Sequence, residues 1–324
     1  MKTTKTSVVI CTYNGAKYIA QQLDSILQQT IPIDEIIICD DCSTDETLSI
    51  LEKYQHNYPI IKIFHNPTNI GSTAGFQKGI QHCKNEIVFF ADQDDEWLPF
   101  KVETFLEAFK QNPEIKVISS NGNGILNDQI ITNSTSVWDI PALLAKMQNS
   151  EVIDYFSLIA NVTNIATGSA MAARKSFLMT IPEFPSVSEI HHDEFIALIA
   201  AKEKKYLFLD KKLYNYRIHE SQQVGQNFFS LNLKNLKHLI KMYLKNKDFS
   251  DYKRILKILS VRFKFYNDIL KNNALDAYYK DLILELRNTA KNAFLQNQEE
   301  MQRRYPLKSA LQNGLDFITQ KRKI

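Results

Sequence analysis

Short apolar runs alternate with stretches of helical period through the first 91 residues of the chain. Residues 7–11 (SVVIC), 35–39 (EIIIC), 60–65 (IIKIFH) and 86–91 (EIVFFA) are too short for helices and rich in β-branched or aromatic side chains, the pattern of buried strands. Between them, 16–29 places Ile19, Leu23, Ile26 and Leu27 on one helical face. The stretch 47–56 does the same with Leu48, Leu51 and Tyr54, behind a capping run Ser43-Thr44-Asp45-Glu46. A third helix is predicted over 72–82. This repetition predicts an α/β fold, a mostly parallel sheet with helices on both faces. Farther along, 117–120 reads as a strand, 121–133 as loop, 189–201 as a helix beginning near His192-Asp193-Glu194, and 205–209 as a strand followed by 213–219. Beyond residue 224 the segments are long, helical and basic, which places a boundary near Gly225: a catalytic domain over 1–225 and a helical region over 226–324.

Charge sharpens that division. Residues 226–324 hold 20 Lys+Arg against 9 Asp+Glu, a net of +11, whereas the whole chain carries +3. The first 225 residues are therefore acidic, at −8. The chain lacks an apolar stretch of membrane-spanning length and an apolar signal region, so the expected location is cytoplasmic. Cys39-Asp40-Asp41-Cys42 has redox or zinc spacing, but a zinc site needs a second ligand pair. Cys11, Cys39, Cys42 and Cys83 are read as reduced, packing residues.

In open α/β sheets, ligands bind beyond the carboxyl ends of the strands. Three predicted strands end there in polar clusters: Thr12-Tyr13-Asn14-Gly15, Asp40-Asp41 and Asp92-Gln93-Asp94-Asp95. Carboxylates this close repel, and a divalent cation relieves the repulsion. Hard oxygen ligands with room left for phosphates suit Mg²⁺ or Mn²⁺, which can neutralise a departing diphosphate. The plainer reading of the last cluster is an acidic run capping a helix that begins near Trp97.

Residues 7–14 (SVVICTYN), 38–45 (ICDDCSTD), 66–71 (NPTNIG) and 92–97 (DQDDEW), in this order and spacing, resemble family 2 glycosyltransferases of the GT-A fold over roughly 5–225. The resemblance implies that Thr12, Tyr13, Asn14, Asp40 and Asp41 line the nucleotide. It puts Asn69 and Gly71 on a turn closing over it, and Asp92, Gln93 and Asp95 at the donor. Asp94, with Asp92, is the implied metal pair, and Trp97 packs. Where many relatives have a glycine this chain has Cys42, so the turn there is not expected to need left-handed geometry.

His191-His192-Asp193-Glu194 resembles the family's second acidic motif, which implies Asp193 as general base, Glu194 as the next choice, and inversion at the anomeric carbon. The same resemblance implies that Gly168, within a small-residue segment, and His192 fall on the acceptor side. Tyr214-Asn215-Tyr216-Arg217-Ile218-His219 resembles a stretch in which His219 completes the metal shell or meets the diphosphate, and Arg217 either neutralises phosphate or pairs with an acid. The motif combination is most similar to bacterial rhamnosyltransferases of surface-polysaccharide synthesis. This implies dTDP-rhamnose, or else a UDP-sugar, as donor and a glycan or lipid-linked glycan as acceptor. The alternatives are a sugar-phosphate nucleotidyltransferase or a non-catalytic nucleotide-binding scaffold. A nucleotidyltransferase would want a glycine-rich phosphate loop after the first strand, which Thr12-Tyr13-Asn14-Gly15 is not. In the tail, Leu233, Leu236, Ile240, Tyr243 and Leu244 oppose Lys234, Lys237, Lys241 and Lys245 on a helical wheel. Such a helix lies on the inner face of the cell membrane or packs with a solvated lysine face. Nucleic acid is not an expected partner.

Overall fold

The computed structural model describes residues 4–132, 135–148, 152–184, 190–220, 222, 237, 239–272, 275–319 and 324. The chain forms two compact units, Met1–Ser134 with Ala166–Ser230, and Thr135–Ile165 with Leu231–Ile324. The segment 135–165, read from sequence as part of the catalytic region, thus belongs to the second unit. The expected boundary near Gly225 lies outside the described residues.

The first unit is built on a nine-stranded sheet. Its strands are β1 (Thr6–Thr12), β2 (Glu35–Asp40), β3 (Ile61–His65), β4 (Ile87–Ala91), β5 (Glu96–Trp97), β6 (Val117–Leu126), β7 (Gln129–Ile130), β8 (Met171–Arg174) and β9 (Tyr206–Arg217). The order is β3-β2-β1-β4-β8-β6-β9-β5, with β7 on β6. The first four strands are parallel. Beyond them the sheet is mixed: β8 runs antiparallel to β4 and β6, while β6 and β9 are parallel. The helices are α1 (Ile19–Leu27), α2 (Thr47–Asn57), α3 (Ser72–His82), α4 (Lys101–Gln111), α7 (Lys175–Leu178) and α8 (His192–Lys202), with α5 (Ile140–Gln148) and α6 (Tyr155–Asn161) in the second unit.

Strands β1, β2 and β4 have apolar centres, residues 8–10, 36–39 and 87–91, buried because both faces are covered, as parallel strands require. Helix α3 comes close enough to the sheet that a Cβ on Gly79 would stand 2.4 Å from Val9 Cγ2.

Three expectations are corrected. The loop predicted over 121–133 is strand as far as Leu126, followed by a hairpin to β7 whose turn residues Asn127 and Asp128 both have positive φ, 50° and 59°. Its Ser-Asn-Gly composition hides the strand because the ladder to β9 is stitched by polar pairs, Asn121 to Asp210 at 3.2 Å and Asn123 to Asn215 at 3.1 Å. Residues 205–209 and 213–219 are not separate strands: β9 is one strand, with register shifts opposite Asn121. Trp97 does not start a helix. It pairs with Tyr214 in β5, and α4 begins after Pro99.

In the second unit, α9 (Phe249–Leu270) and α10 (Ala277–Arg304) pack along each other, followed by α11 (Pro306–Thr319). A reciprocal cap between Asp248 and Asp251 starts α9. The Tyr266 hydroxyl donates to Ala160 O at 2.7 Å, fastening α6 to α9. Of the basic helix predicted over 233–245, residues 233–236 and 238 lie outside the described residues. Its end, Lys241–Tyr243, is a single 3₁₀ turn with Met242 buried. No helix among the described residues is long and apolar enough to cross a membrane.

Candidate active site

The loops after β1 and β2 are knitted together where the parallel strands end. Asn14 N donates to Ser43 Oγ at 2.9 Å, Thr44 N to Asn14 Oδ1 at 2.8 Å, and Gly15 N to Thr47 Oγ1 at 2.8 Å. Asp40 is buried inside this junction. Its carboxylate accepts from Thr12 Oγ1 at 3.0 Å and Ser43 N at 3.1 Å, and pairs with His65 Nδ1 at 2.9 Å. Asp41 accepts from Ile70 N and Gly71 N, both at 2.8 Å, and from Asn66 Nδ2 at 3.1 Å. Asn69 Oδ1 accepts from Gly71 N at 3.2 Å. Both aspartates therefore fix the backbones of these loops, and Tyr13, Asn14 and Asn69 are exposed. Cys42 overturns its expectation: its φ is +66°, so the turn is left-handed and holds a side chain where glycine would sit unstrained.

The loop after β4 meets the same junction through Gln93. Its amide reads the backbone of Tyr13, accepting from Tyr13 N at 2.9 Å and donating to Tyr13 O at 3.2 Å. A Cβ at Gly15 would overlap Gln93 Oε1 at 2.3 Å, which accounts for the glycine. Asp94 Oδ2 lies 2.8 Å from His219 Nε2, whose ring packs on Tyr18 at 5.0 Å. Burial pushes Asp92 up to about 7, with help from Asp94. Asp95 is held well above the ordinary carboxylate range by burial, then by Asp94 and Asp92. Among the described residues, no three His, Cys, Asp or Glu side chains form a ready-made metal cluster. The structure thus joins Asp94 to His219 and leaves Asp92 out of a closed trio. A carboxylate and an imidazole suit Mn²⁺ or Mg²⁺ provided that phosphate and water oxygens fill the other positions.

Two buried cations flank this loop. Sequence reading missed the first, Lys101. It is fully buried, donates to Ser169 O, and lies 4.0 Å from the Trp97 ring and 5.0 Å from that of Tyr214. Burial drives its ammonium down to about 7, against the pull of Asp95 and Asp92. The second is Arg217, 4% exposed. Its Nε donates to Asp94 O at 2.8 Å and its Nη2 to Glu96 at 2.7 Å and Gln21 at 3.1 Å. Its Nη1 meets Asp128, and Tyr18 lies 4.7 Å from the guanidinium carbon. Its backbone N–H caps Asp95 Oδ1 at 2.9 Å. Of the two roles open to it, Arg217 takes the acid-pairing one. Because it spans four acceptors, Arg217→Met is expected to cost ~3 kcal/mol of unfolding free energy, while Arg217→Lys recovers only part of it. Urea unfolding of the three proteins checks this, and equal stability of the Met variant would refute the fork's role.

Across the sheet, α8 brings in the second acidic motif. Asp193 Oδ2 accepts from Gly168 N at 3.0 Å and Oδ1 from Glu194 N at 2.6 Å. Burial is the first cause that pushes Asp193 up to about 7, and the nearby Asp92 adds to it. His192 stacks on Phe76 at 4.0 Å, and its ring nitrogens have no hydrogen-bond partner among the described residues. Burial drives it down to about 3, so it is neutral. A Cβ on Gly168 would lie 3.1 Å from His192 Nε2 and 3.8 Å from Asp92 Oδ1. Gly168 is thus the point where the two acidic motifs meet.

The profile of "Glycosyl transferase family 2" matches residues 7–178, more than half of the chain. The chain belongs to this glycosyltransferase family. The family 2 chain is 29% identical over 230 residues to the dTDP-rhamnosyl transferase RfbG of Shigella flexneri, covering 67% of this chain and 74% of that one. It spans less than two thirds of the length of three other curated relatives, at 65%, 24% and 40%. Among solved structures, Staphylococcus aureus TarS 1–349 in complex with UDP-GlcNAc aligns with a TM-score of 0.53 at 19% identity, over 94% of this chain and 92% of that one. The mannosyltransferase PcManGT of Pyrobaculum calidifontis, in complex with GDP-Man and Mn²⁺, aligns with a TM-score of 0.52 at 15% identity, over 97% and 80%. At such identities these matches establish the fold. This glycosyltransferase has the GT-A architecture, with a helical C-terminal region.

Proposed function

We propose that this glycosyltransferase moves a sugar, with inversion, from a nucleoside-diphosphate donor to a hydroxyl of a growing bacterial surface glycan. The convergence at Gly168 carries the reading: a carboxylate poised near neutrality, Asp193, faces the acidic loop that would receive a diphosphate. The acceptor hydroxyl gives its proton to Asp193 as it attacks the anomeric carbon, and the diphosphate leaves on the opposite side. Asp94 and His219, with Asp92 behind them, would hold Mn²⁺ or Mg²⁺, whose chemistry is to stabilise charge on the leaving diphosphate. Thr12, Tyr13 and Asn14 would line the base and ribose, with Asp40 and Asp41 fixing the loops around them.

Similarity to the Shigella rhamnosyl transferase favours dTDP-rhamnose as donor, with a UDP-sugar as the second choice. The basic C-terminal region suits an acceptor carried on a lipid at the inner face of the membrane. Incubation with a panel of nucleotide sugars and Mn²⁺, without acceptor, is the test. Slow release of one nucleoside diphosphate, abolished by EDTA, is expected. Neither binding nor hydrolysis across the panel would leave only a scaffold role.

A further inference from the structure

Where its side chains are described, helix α11 buries polar residues and exposes leucines. The side it turns toward α10 is polar: Ser309 is 1% exposed, Gln312 6% and Asp316 9%, with Gln312 Nε2 bonded to Asp316 Oδ1 at 3.0 Å. On the opposite side Leu307 is 82% exposed and Leu311 75%. At about 100° per residue these two leucines share one face, about 100° or more from each member of the buried polar trio. A helix of a water-soluble surface has the reverse arrangement, so the outward face calls for an apolar environment.

The surroundings say which one. Arg303, Arg304 and Lys308 are exposed and lie within eight residues of the two leucines, with the Lys308 ammonium 5.9 Å from the Phe249 ring. Between residues 301 and 315 there is no Asp or Glu, and the chain continues to Lys321-Arg322-Lys323. Of the flanking acids, Glu300 is engaged by Lys247 at 3.0 Å and Arg304 at 3.1 Å, Asp316 is bonded to Gln312, and Glu299 is exposed. A second copy of the chain would bring a like-charged region, +11 over residues 226–324, against this face. An anionic bilayer offers both an apolar layer for the leucines and negative headgroups for the cations.

We propose that α11 is a membrane-docking helix that inserts Leu307 and Leu311 among anionic lipids, with Arg303, Arg304 and Lys308 at the headgroups. This deepens the reading of a lipid-carried acceptor and depends on it for its purpose, not for its evidence. The test is co-sedimentation of the full chain with phosphatidylcholine vesicles, with and without phosphatidylglycerol. The parent protein is expected to bind the anionic vesicles and release them in high salt. Leu307→Ser/Leu311→Ser should weaken binding at least ~10-fold, because two exposed leucines lose their apolar partner. The triple change Arg303→Gln/Arg304→Gln/Lys308→Gln should weaken it as well. Both variants should release nucleoside diphosphate from the donor at the parent rate without lipid. Parent protein that ignores anionic vesicles, or a leucine variant that binds them equally, overturns the proposal. So does light scattering that finds a lipid-free parent dimer which the leucine variant converts to monomer, since the face would then belong to a second copy. A parent that binds vesicles yet hydrolyses no donor counts against the transferase reading alone.

Discussion

Asp193→Asn is expected to cut glycosyl transfer by about 10²–10⁴ while leaving binding of the nucleoside diphosphate within about two-fold of the parent. The reasoning starts from burial. Asp193 is held by two backbone N–H groups, from Gly168 and Glu194, yet burial dominates and its carboxyl titrates near 7. A base that titrates there is ionised above neutrality and still basic enough to take a hydroxyl proton in the transition state. The parent rate should therefore fall as pH drops below about 7, and the Asn variant should lack that limb. Stability gives an independent check with a fixed sign. A folded-state pKa above the unfolded value favours the folded protein while the group is protonated, and the advantage is lost as pH rises through about 7. The Asn variant loses one good backbone bond but escapes that loss, so its unfolding temperature should depend less on pH between about 4 and 7 than the parent's, and the two should run parallel above about 8. A folded Asn variant that transfers at the parent rate would move the base elsewhere, first to Glu194.

How far the chain announces this site depends on whether the deciding contacts are local. Strands β1, β2 and β4 and helices α1 to α3 follow from apolar periodicity, because each buries a face within one βα repeat. Placing the acidic cluster at a sheet edge needed only that order. Lys101 was readable in principle: it falls in phase with Phe105 and Phe109 on the inner side of α4, so helical spacing alone puts its ammonium indoors. Arg217 was not, since its partners Gln21, Asp94, Glu96 and Asp128 lie between 89 and 196 residues away. The strand over 121–126 stayed hidden for the same reason, as its partner β9 begins nearly ninety residues later. Cys42 shows the opposite failure. Its local environment sets a left-handed φ, and the residue type argued against it. The turn is fixed by neighbours that Asp40 and Asp41 anchor, and the cysteine accepts the strain.

Asp94→Ala is expected to abolish metal-dependent binding of the nucleoside diphosphate, a loss of at least about 100-fold, or ~2.7 kcal/mol. It should also make the metal-free protein more stable. Asp94 is the acid that raises both Asp92 and Asp95, after burial, so removing it relieves repulsion inside a loop that Arg217 holds and whose charge the nearby Lys101 offsets. Asp95 keeps its cap from the Arg217 backbone, and Gln93 keeps its hold on Tyr13, so the loop has no reason to collapse. His219 loses its 2.8 Å partner but retains its packing on Tyr18. Thermal unfolding in EDTA, and again with Mn²⁺ and the nucleoside diphosphate that the donor panel identifies, separates the two effects. The parent should be stabilised by metal and nucleotide together, following mass action, and the Ala variant should start higher and gain nothing. A variant that starts lower and still gains as the parent does would show that Asp94 braces the loop, and that the cation sits on other residues. The opposed signs matter because they are what a binding site should show: a cluster that costs the empty protein stability is kept for what it holds when filled.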